Sequence, residues 1–227
     1  MNKQVAALVA KAHQRRELPI LLAGSCNSSL GALAGFRHES CGAVWLDAHA
    51  DFNTPETTIS GFFAGMSAAV ITGHCYRAYW AEIGDNTPLA EQDIVMFGVR
   101  DVSPQAELER LERSAIQVVA WRDGKPDQDI LAPLDSLASR VRDVYFHVDF
   151  DAFAPEVAPG VADEPVPGGL SLEDAERIVD ATSDRFRILA ATLATYTPEL
   201  DQDDKTLQVA LRLIEMLGDY ASHQRTS

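Results

Sequence analysis

Short apolar runs recur along the chain and alternate with segments that have helical periodicity. The runs are Pro19–Ala23, Ala43–Leu46, Ile94–Val99, Ile116–Trp121, Val144–Val148 and Ile188–Leu193. Because each run is continuously apolar rather than alternating, we predict strands that are buried on both faces, as in a parallel sheet.

Amphipathic segments between these runs predict helices. They cover Asn2–Arg16, Ser28–Phe36, Pro104–Arg113, Leu172–Thr182 and Thr206–Tyr220. Ser171 and Asp174 have the spacing of a capping box at the start of one of them. Alternating strands and helices indicate one α/β domain, which we expect to span residues 1–227.

Composition narrows the class of protein. The chain has 34 Asp and Glu against 19 Lys and Arg, and this acidic balance argues against a partner such as nucleic acid or an anionic membrane. No apolar stretch is long enough to span a membrane, and the charged N-terminal segment lacks the apolar core of a signal peptide. Three cysteines (Cys26, Cys41 and Cys75) do not suggest a disulfide framework, so we expect a cytoplasmic protein.

Polar side chains follow three of the predicted strands. Gly24–Ser28 follows the first run, Asp47–Asp51 the second and Asp149–Asp151 the fifth. Ligands bind beyond the carboxyl ends of strands in open parallel sheets, so these segments are candidates for chemistry. The Gly- and Pro-rich segment Ala152–Gly169 comes next, and so long a loop in a compact domain is usually functional.

Four aspartates and one histidine are thus predicted to share one edge of the sheet. Converging carboxylates raise one another's pKa unless a counter-charge is present. One or two divalent ions would supply it, and a two-metal site can activate water for attack. A single aspartate after a strand is usually a cap or turn residue, but D-x-H-x-D and D-x-D at two strand ends favour metal binding.

Three segments together resemble the motifs of the arginase (ureohydrolase) family of dinuclear manganese hydrolases. They are Gly24–Ser28, Trp45–Gly61, and His147–Asp151 with its following loop, in the family's order and spacing. The resemblance covers Leu21 to about Pro198. It implies a three-layer α/β/α fold with a mostly parallel sheet and two Mn²⁺ ions; it leaves open whether the family's first strand and helix are trimmed here or lie upstream.

The resemblance also implies a ligand set. Asp47 and Asp149 would bridge both ions, Asp51 would bind the first, and His49 and Asp151 would bind the second. It further implies that a metal-bridging hydroxide attacks the substrate, and that Asp51 stabilises the intermediate and passes a proton to the leaving amine.

The resemblance also places Cys26 at the position of the histidine ligand in the family's first motif. A lone cysteine is more often a buried small apolar residue, but in this motif a thiolate can replace the imidazole. Thiolate is a soft ligand and Mn²⁺ a hard ion, so other divalent ions also fit this position.

Substrate contacts are implied in the same way. Asn53 and Ser60 match the arginase positions that hold the α-carboxylate of the amino acid, and Asp101 matches a position near the α-amino group. Ser103 stands where arginases have an acidic contact, so that recognition is expected to be weaker or water-mediated. The alternative for Asn53, Ser60 and Asp101 is ordinary turn or cap chemistry.

Two further departures bear on the reaction. Ala64 occupies the position of the family's proton-shuttle histidine, and Thr195 that of the glutamate that contacts the guanidinium; Glu199 lies close to Thr195 in sequence. Together with Cys26, these changes resemble the subgroup that hydrolyses Nω-hydroxy-L-arginine to hydroxyurea and L-ornithine in D-cycloserine biosynthesis. A hydroxyguanidine is less basic than a guanidine and should make smaller demands on protonation.

Other functions remain open from the sequence. One is ordinary arginase, or another guanidino or amide hydrolase, including the related single-zinc deacetylases. The other is a non-catalytic member that binds a ligand or partner. If the protein is an enzyme, we expect its substrate to be a small amino acid. We also expect the protein to be a monomer.

Several residues have no assigned role. His147 lies two residues before Asp149, on the same strand face, where it could orient a ligand, act as an acid or pack in the core. The Phe62–Phe63 pair packs or walls the substrate channel. The remaining histidines are expected at the surface or in packing roles: His13, His38, His74 and His223.

Overall fold

The computed structural model describes residues 1–36, 41–84, 87–162 and 164–226. The strands are β1 (Ile20–Ala23), β2 (Cys41–Leu46), β3 (Ile94–Phe97), β4 (Gln117–Val119), β5 (Trp121–Arg122), β6 (Lys125–Pro126), β7 (Asp143–Asp149) and β8 (Arg187–Ala194). The helices are α1 (Asn2–Gln14), α2 (Ser29–Ala34), α3 (Ser67–Ile71), α4 (Arg77–Ile83), α5 (Gln105–Arg113), α6 (Leu131–Ala138), α7 (Leu172–Arg185) and α8 (Lys205–Thr226).

The main sheet has six strands in the order β1-β8-β7-β2-β3-β4. Every neighbouring pair is parallel, which confirms the predicted sheet. The predicted strand Ile116–Trp121 is divided, because Trp121 leaves the sheet to begin the small antiparallel hairpin of β5 and β6. Asp123 and Gly124 both have positive φ at the tip of this hairpin, as a tight two-residue turn requires.

Helices cover both faces of the sheet, which confirms the three-layer α/β/α fold. Alternate strand residues such as Phe146 and Tyr145 enter different cores, one under α6, α7 and α8 and the other under α1 to α5. Strands β2, β3 and β7 are buried on both faces as predicted. That prediction is wrong for β1, which lies at the outer edge of the sheet and leaves the side chain of Leu22 71% exposed.

The helix predictions succeed where a periodic segment also carries a start signal. Ser171 accepts a hydrogen bond from the backbone of Asp174, and the Asp174 carboxylate accepts one from Ser171 N, which confirms the capping box of α7. The predicted helix from Ser28 begins one residue later, after a short 3₁₀ turn over Cys26–Ser28. Helices α3, α4 and α6 were not predicted; α6 has Pro133 in its first turn, where proline is tolerated.

The order of the strands determines where the three motifs meet. The chain runs from β1 to β2 and outward to β3 and β4, and then returns to place β7 and β8 between β2 and β1. The carboxyl ends of β1, β8, β7 and β2 are therefore neighbours. Such a reversal of strand order is where α/β sheets bind ligands.

The half-buried guanidinium of Arg100 holds the loop that follows β7. It donates hydrogen bonds to backbone carbonyl oxygens on both sides of that loop and at the end of β3: Gly98, Asp151, Ala152, Phe153, Val166 and Pro167. One of these carbonyls belongs to Asp151, so the clamp also fixes the backbone of a predicted metal ligand.

Cys26, Cys41 and Cys75 are all buried, and each is a free cysteine. In the described ranges, no helix combines the length and the apolar character that a membrane span needs.

The clamp predicts a specific loss of stability. Because lysine lacks the forked donors of arginine, Arg100→Lys should lower the free energy of unfolding by about 2 kcal/mol in urea denaturation. The matched control is Arg187→Lys at the exposed pair of Arg187 with Asp143, which should change it by less than about 1 kcal/mol. Equal losses in both variants would contradict the clamp.

Candidate metal centre

A cleft of about 350 Å³ opens at the carboxyl ends of the central strands. The structure brings all the predicted metal ligands to its wall: Cys26, Asp47, His49, Asp51, Asp149 and Asp151. The aspartates of this set and Cys26 are buried, whereas His49 is half-buried. The cleft therefore collects carboxylate, imidazole and thiol groups from three separate segments of the chain.

Strand β2 places Asp47 by extending its ladder one residue beyond Leu46. Asp47 N donates to the carbonyl of Phe97 at 3.0 Å, and Trp45 Nε1 donates to Asp47 Oδ2 at 3.0 Å. Asp51 turns back through a left-handed backbone conformation (φ 49°). Its carbonyl then accepts hydrogen bonds from Ala68 and Ala69 in α3, so the turn is anchored to a helix.

The end of β7 is tied to the end of β2. Asp151 N donates to Asp149 Oδ1 at 2.9 Å, and Ala48 N donates to Asp151 Oδ1 at 3.0 Å. These backbone donors orient both carboxylates toward the cleft and satisfy part of their hydrogen-bonding capacity.

His49 lies between two of the carboxylates. Its Nδ1 is 2.9 Å from Asp151 Oδ2 and 3.5 Å from Asp47 Oδ1. Burial alone would lower the pKa of His49, but hydrogen bonds to Asp151 and Asp47 outweigh it and raise the pKa to about 12. Asp47, His49 and Asp151 also lie close enough together to hold one metal ion.

Cys26 contacts the other side of the cluster. Its thiol donates to Asp149 Oδ2 at 2.7 Å, and Sγ is 4.0 Å from Asp47 Oδ2. Burial, together with the charge of Asp149, raises the pKa of this thiol well above its usual range. Thr195 donates its hydroxyl to the other Asp149 oxygen at 2.5 Å.

The carboxylates are costly to keep ionised together. Burial and the charge of Asp151 raise the pKa of Asp47 to about 6, and burial with the charges of neighbouring carboxylates raises the pKa values of Asp51 and Asp149 well above their ordinary value. Burial also opposes ionisation of Asp151, but the hydrogen bond and charge of His49 hold its pKa below the ordinary value.

The donor set fits divalent ions. Asp51 Oδ2 is buried without a hydrogen-bond partner among the described residues, which leaves an oxygen free to coordinate. Oxygen and imidazole donors suit Mn²⁺ and related ions, while the thiol of Cys26 adds a softer donor on one side.

The predicted substrate residues Asn53, Ser60 and Asp101 also line the cleft. Asn53 is buried, and its Nδ2 donates to the carbonyl of Ser103 at 3.0 Å. Ser60 is exposed and its Oγ accepts from Phe62 N at 3.1 Å, while Asp101 Oδ2 is 3.9 Å from His49 Nε2. Asn53 is thus held rigidly, whereas Ser60 and Asp101 remain accessible from the mouth of the cleft.

The positions that depart from the family pattern lie in the cleft as well. Ala64 and Thr195 both line it, whereas Glu199 is exposed in a 3₁₀ turn outside it. Phe62 lines the mouth of the cleft and is 57% exposed, while Phe63 packs against tyrosines of the α4 region. Glu199 is therefore not in a position to replace the family's glutamate.

Histidines outside the motifs behave as predicted where they are described. His13 packs against Phe36, His74 Nε2 is 2.6 Å from Glu91, and His223 is exposed near the end of α8. His38 lies outside the described residues.

Sequence reasoning missed Glu107, which lines the cleft from α5 and is only 3% exposed. Its Oε1 accepts a hydrogen bond from Phe52 N at 2.8 Å, and burial raises its pKa to about 7. Its spacing in the sequence could have indicated this burial. Glu107 precedes Leu111 by four residues, so the two side chains share one face of the helix, and Leu111 is buried.

The fold and cleft define a class of α/β protein in which buried carboxylates gather at the carboxyl ends of a parallel sheet. The sequence profile of the arginase family matches residues 1–218. The arginase of Bacillus caldovelox is 30% identical over 225 residues, covering 95% of this chain and 73% of its own, and that of Bacillus subtilis is 28% identical over 220 residues, covering 95% and 74%. The chain belongs to the arginase family, a family of dinuclear manganese enzymes.

Solved structures agree. The native arginase of Bacillus caldovelox superposes with a TM-score of 0.86 at 30% identity, covering 95% of this chain and 73% of that one. The arginase of Bacillus cereus gives a TM-score of 0.85 at 26% identity, covering 95% and 76%.

Glu107 predicts a pH dependence of stability. Since its folded pKa of about 7 exceeds the ordinary value, the folded protein binds the proton more tightly. This contribution, up to about 3 kcal/mol, is complete below about pH 4 and is lost as the pH rises through 7.

Glu107→Gln should therefore flatten the fall in unfolding free energy between pH 5 and pH 7.5, measured by urea denaturation in EDTA. The matched control is Glu109→Gln, an exposed position on the same helix, which should keep the wild-type slope. A wild-type slope in Glu107→Gln would contradict the assignment.

Proposed function

We propose that this protein is a dinuclear-metal hydrolase that cleaves a linear guanidino C–N bond, with Nω-hydroxy-L-arginine as its substrate and hydroxyurea and L-ornithine as products. The observation that carries the proposal is the convergence of the six candidate ligands on one cleft, with Cys26 in contact with Asp149. Membership of the arginase family supports the reaction class.

Asp47 and Asp149 are the central carboxylates of the proposed centre. Asp47 lies 3.5 Å from His49 Nδ1 on one side and 4.0 Å from Cys26 Sγ on the other, so it can serve both ions. His49 and Asp151 would hold one ion, and Cys26 and Asp51 the other. When bound, two divalent ions activate water for attack and stabilise developing negative charge.

Asp51 is the proposed proton carrier. Its carboxylate lines the cleft, so the oxygen that does not hold the ion can accept a proton from the attacking water. The water oxygen forms the new bond to the guanidino carbon, and the bond from that carbon to the ornithine nitrogen breaks. The same Asp51 oxygen then returns the proton to the departing amine.

The amino-acid end of the substrate is assigned to the mouth of the cleft. Asn53 Nδ2 carries two hydrogens, so its bond to the Ser103 carbonyl leaves one to donate to an α-carboxylate. Ser60 adds a hydroxyl, and Asp101 offers a half-buried carboxylate to the α-amino group.

The hydroxyguanidine preference is supported by two cleft residues that carry no charge. Ala64 cannot transfer a proton, and the hydroxyl of Thr195 is already committed to Asp149. A strongly basic guanidinium would find neither a proton-transfer residue nor an acidic partner at these positions. A hydroxyguanidine is less basic, so its hydrolysis should depend less on these two groups.

Ordinary arginase is the second candidate, because the arginases of Bacillus caldovelox and Bacillus subtilis match along most of this chain and because Asn53 and Ser60 lie in the cleft. Both functions would use the same metal centre. Their substrates differ in whether the terminal guanidino nitrogen carries a hydroxyl group.

The first prediction here concerns substrate preference. With Mn²⁺ bound, kcat/KM for release of ornithine from Nω-hydroxy-L-arginine should exceed that from L-arginine by at least about tenfold, because the proton-transfer group at position 64 is absent. Ornithine, urea and hydroxyurea are quantified by chromatography. A preference for L-arginine would establish ordinary arginase, and no ornithine from either substrate, with ions bound, would establish a non-catalytic member.

The second prediction concerns the two residues that replace histidines. Cys26→His combined with Ala64→His should raise kcat for L-arginine by about tenfold or more, since an imidazole then replaces the thiol and a proton shuttle is restored. The matched control is Cys26→His with Ala64→Gln, which has a similar side-chain size but cannot move a proton. An equal response in both double variants, or none, would refute this account of specificity.

A further inference from the structure

His147 is a fully buried imidazole directly under the cluster, and the proposed reaction does not use it. It lies on β7 two residues before Asp149, with its side chain on the same face. Its ring stacks on Trp45 with centroids 3.8 Å apart, and its Nδ1 is 3.1 Å from Tyr145 Oη. Packing and a hydrogen bond thus hold the ring in one orientation.

The other ring nitrogen has no partner. Nε2 of His147 is buried without a hydrogen bond to any described residue. A buried polar atom without a partner is uncommon in folded proteins and calls for an explanation such as a missing ion. A ring nitrogen of His147, the Cys26 thiol and an Asp47 oxygen all lie within 4.8 Å of one another, close enough to hold one metal ion.

We propose that His147 is an additional protein ligand of the ion held by Cys26 and Asp47, and that it binds this ion through Nε2. The inference rests on the metal centre of the proposed function and deepens it. Cys26 occupies the position of a histidine in the family motif. In this arrangement, His147 on β7 would supply an imidazole to the same ion.

The tautomer required for this role matches the surroundings. For Nε2 to coordinate, Nδ1 must carry the proton, and Tyr145 Oη is placed to accept it. Metal-binding histidines commonly donate their other ring N–H to an oxygen in this way. Tyr145 is accordingly a positioning residue for the ligand.

The two ion positions then differ in chemistry. The first combines thiolate, imidazole and carboxylate, a donor set that suits Zn²⁺ or Co²⁺. The second, around Asp47, His49 and Asp151, has more oxygen and suits Mn²⁺. The centre should therefore bind two unlike ions more readily than two Mn²⁺ ions.

The test measures metal binding rather than turnover. Wild-type protein and His147→Leu are titrated with Zn²⁺ against a competing chelator, with metal content determined by mass spectrometry. The variant should lose at least about tenfold in Zn²⁺ affinity at one of two positions and change little at the other. His74→Leu, which removes a histidine outside the cleft, is the matched control and should bind as wild type.

A role in packing alone is distinguished by melting temperature. If His147 only fills space, His147→Leu lowers Tm equally in EDTA and in Zn²⁺. If it is a ligand, the rise in Tm on adding Zn²⁺ shrinks. Should the variant fail to fold, the ¹⁵N chemical shift of His147 Nε2 in the wild-type protein decides the question, because coordination moves it on addition of Zn²⁺.

The outcomes separate a failure of the His147 assignment from a failure of the metal centre. Unchanged Zn²⁺ affinity in His147→Leu, or an unchanged Nε2 shift in ion-loaded wild type, overturns the role of His147 and leaves the two-ion centre standing. A wild-type protein that binds no divalent ions overturns the centre and this inference together.

Discussion

Repulsion among four buried carboxylates is the constraint on which the rest of this structure depends. Two unit charges 4 Å apart interact by about 4 kcal/mol at the effective dielectric typical of protein sites, so Asp47, Asp51, Asp149 and Asp151 cannot be gathered without compensation. Backbone N–H donors and His49 relieve part of the repulsion. The remainder is the electrostatic reason why the proposed centre would take up divalent cations, and in that centre ion binding and folding would be coupled.

The parallel sheet makes this arrangement possible. Strands β2 and β7 are neighbours with Trp45 opposite His147, so residues two positions further on meet at the same height. Buried strand interiors hold these ends rigidly, and the Arg100 clamp extends that rigidity into the loop after β7. The sheet therefore sets the spacing of the candidate ligands, and in the proposed function the loops supply the residues that distinguish one substrate from another.

Most of the sheet and all six candidate ligands could be predicted from the sequence, because apolar runs and motif spacing are local signals. The exposed edge at Leu22 and the partner of the Cys26 thiol could not, since both depend on strand order. Short helices such as α3 carry too few residues for a periodic signal. Glu107 could not be predicted as a cleft residue, because a single acidic residue on a helix normally faces water. Only tertiary packing buries it.

The edge position of β1 has a consequence for the lifetime of a bound ion. Edge strands have a neighbour on one side only, and segments with few neighbours open locally at a lower free energy than the core does. Cys26 follows this strand, whereas the carboxylates around it follow interior strands. In the proposed centre, loss of the ion on the Cys26 side would therefore follow fraying of β1, and the two ion positions would differ in exchange rate as well as in donor chemistry.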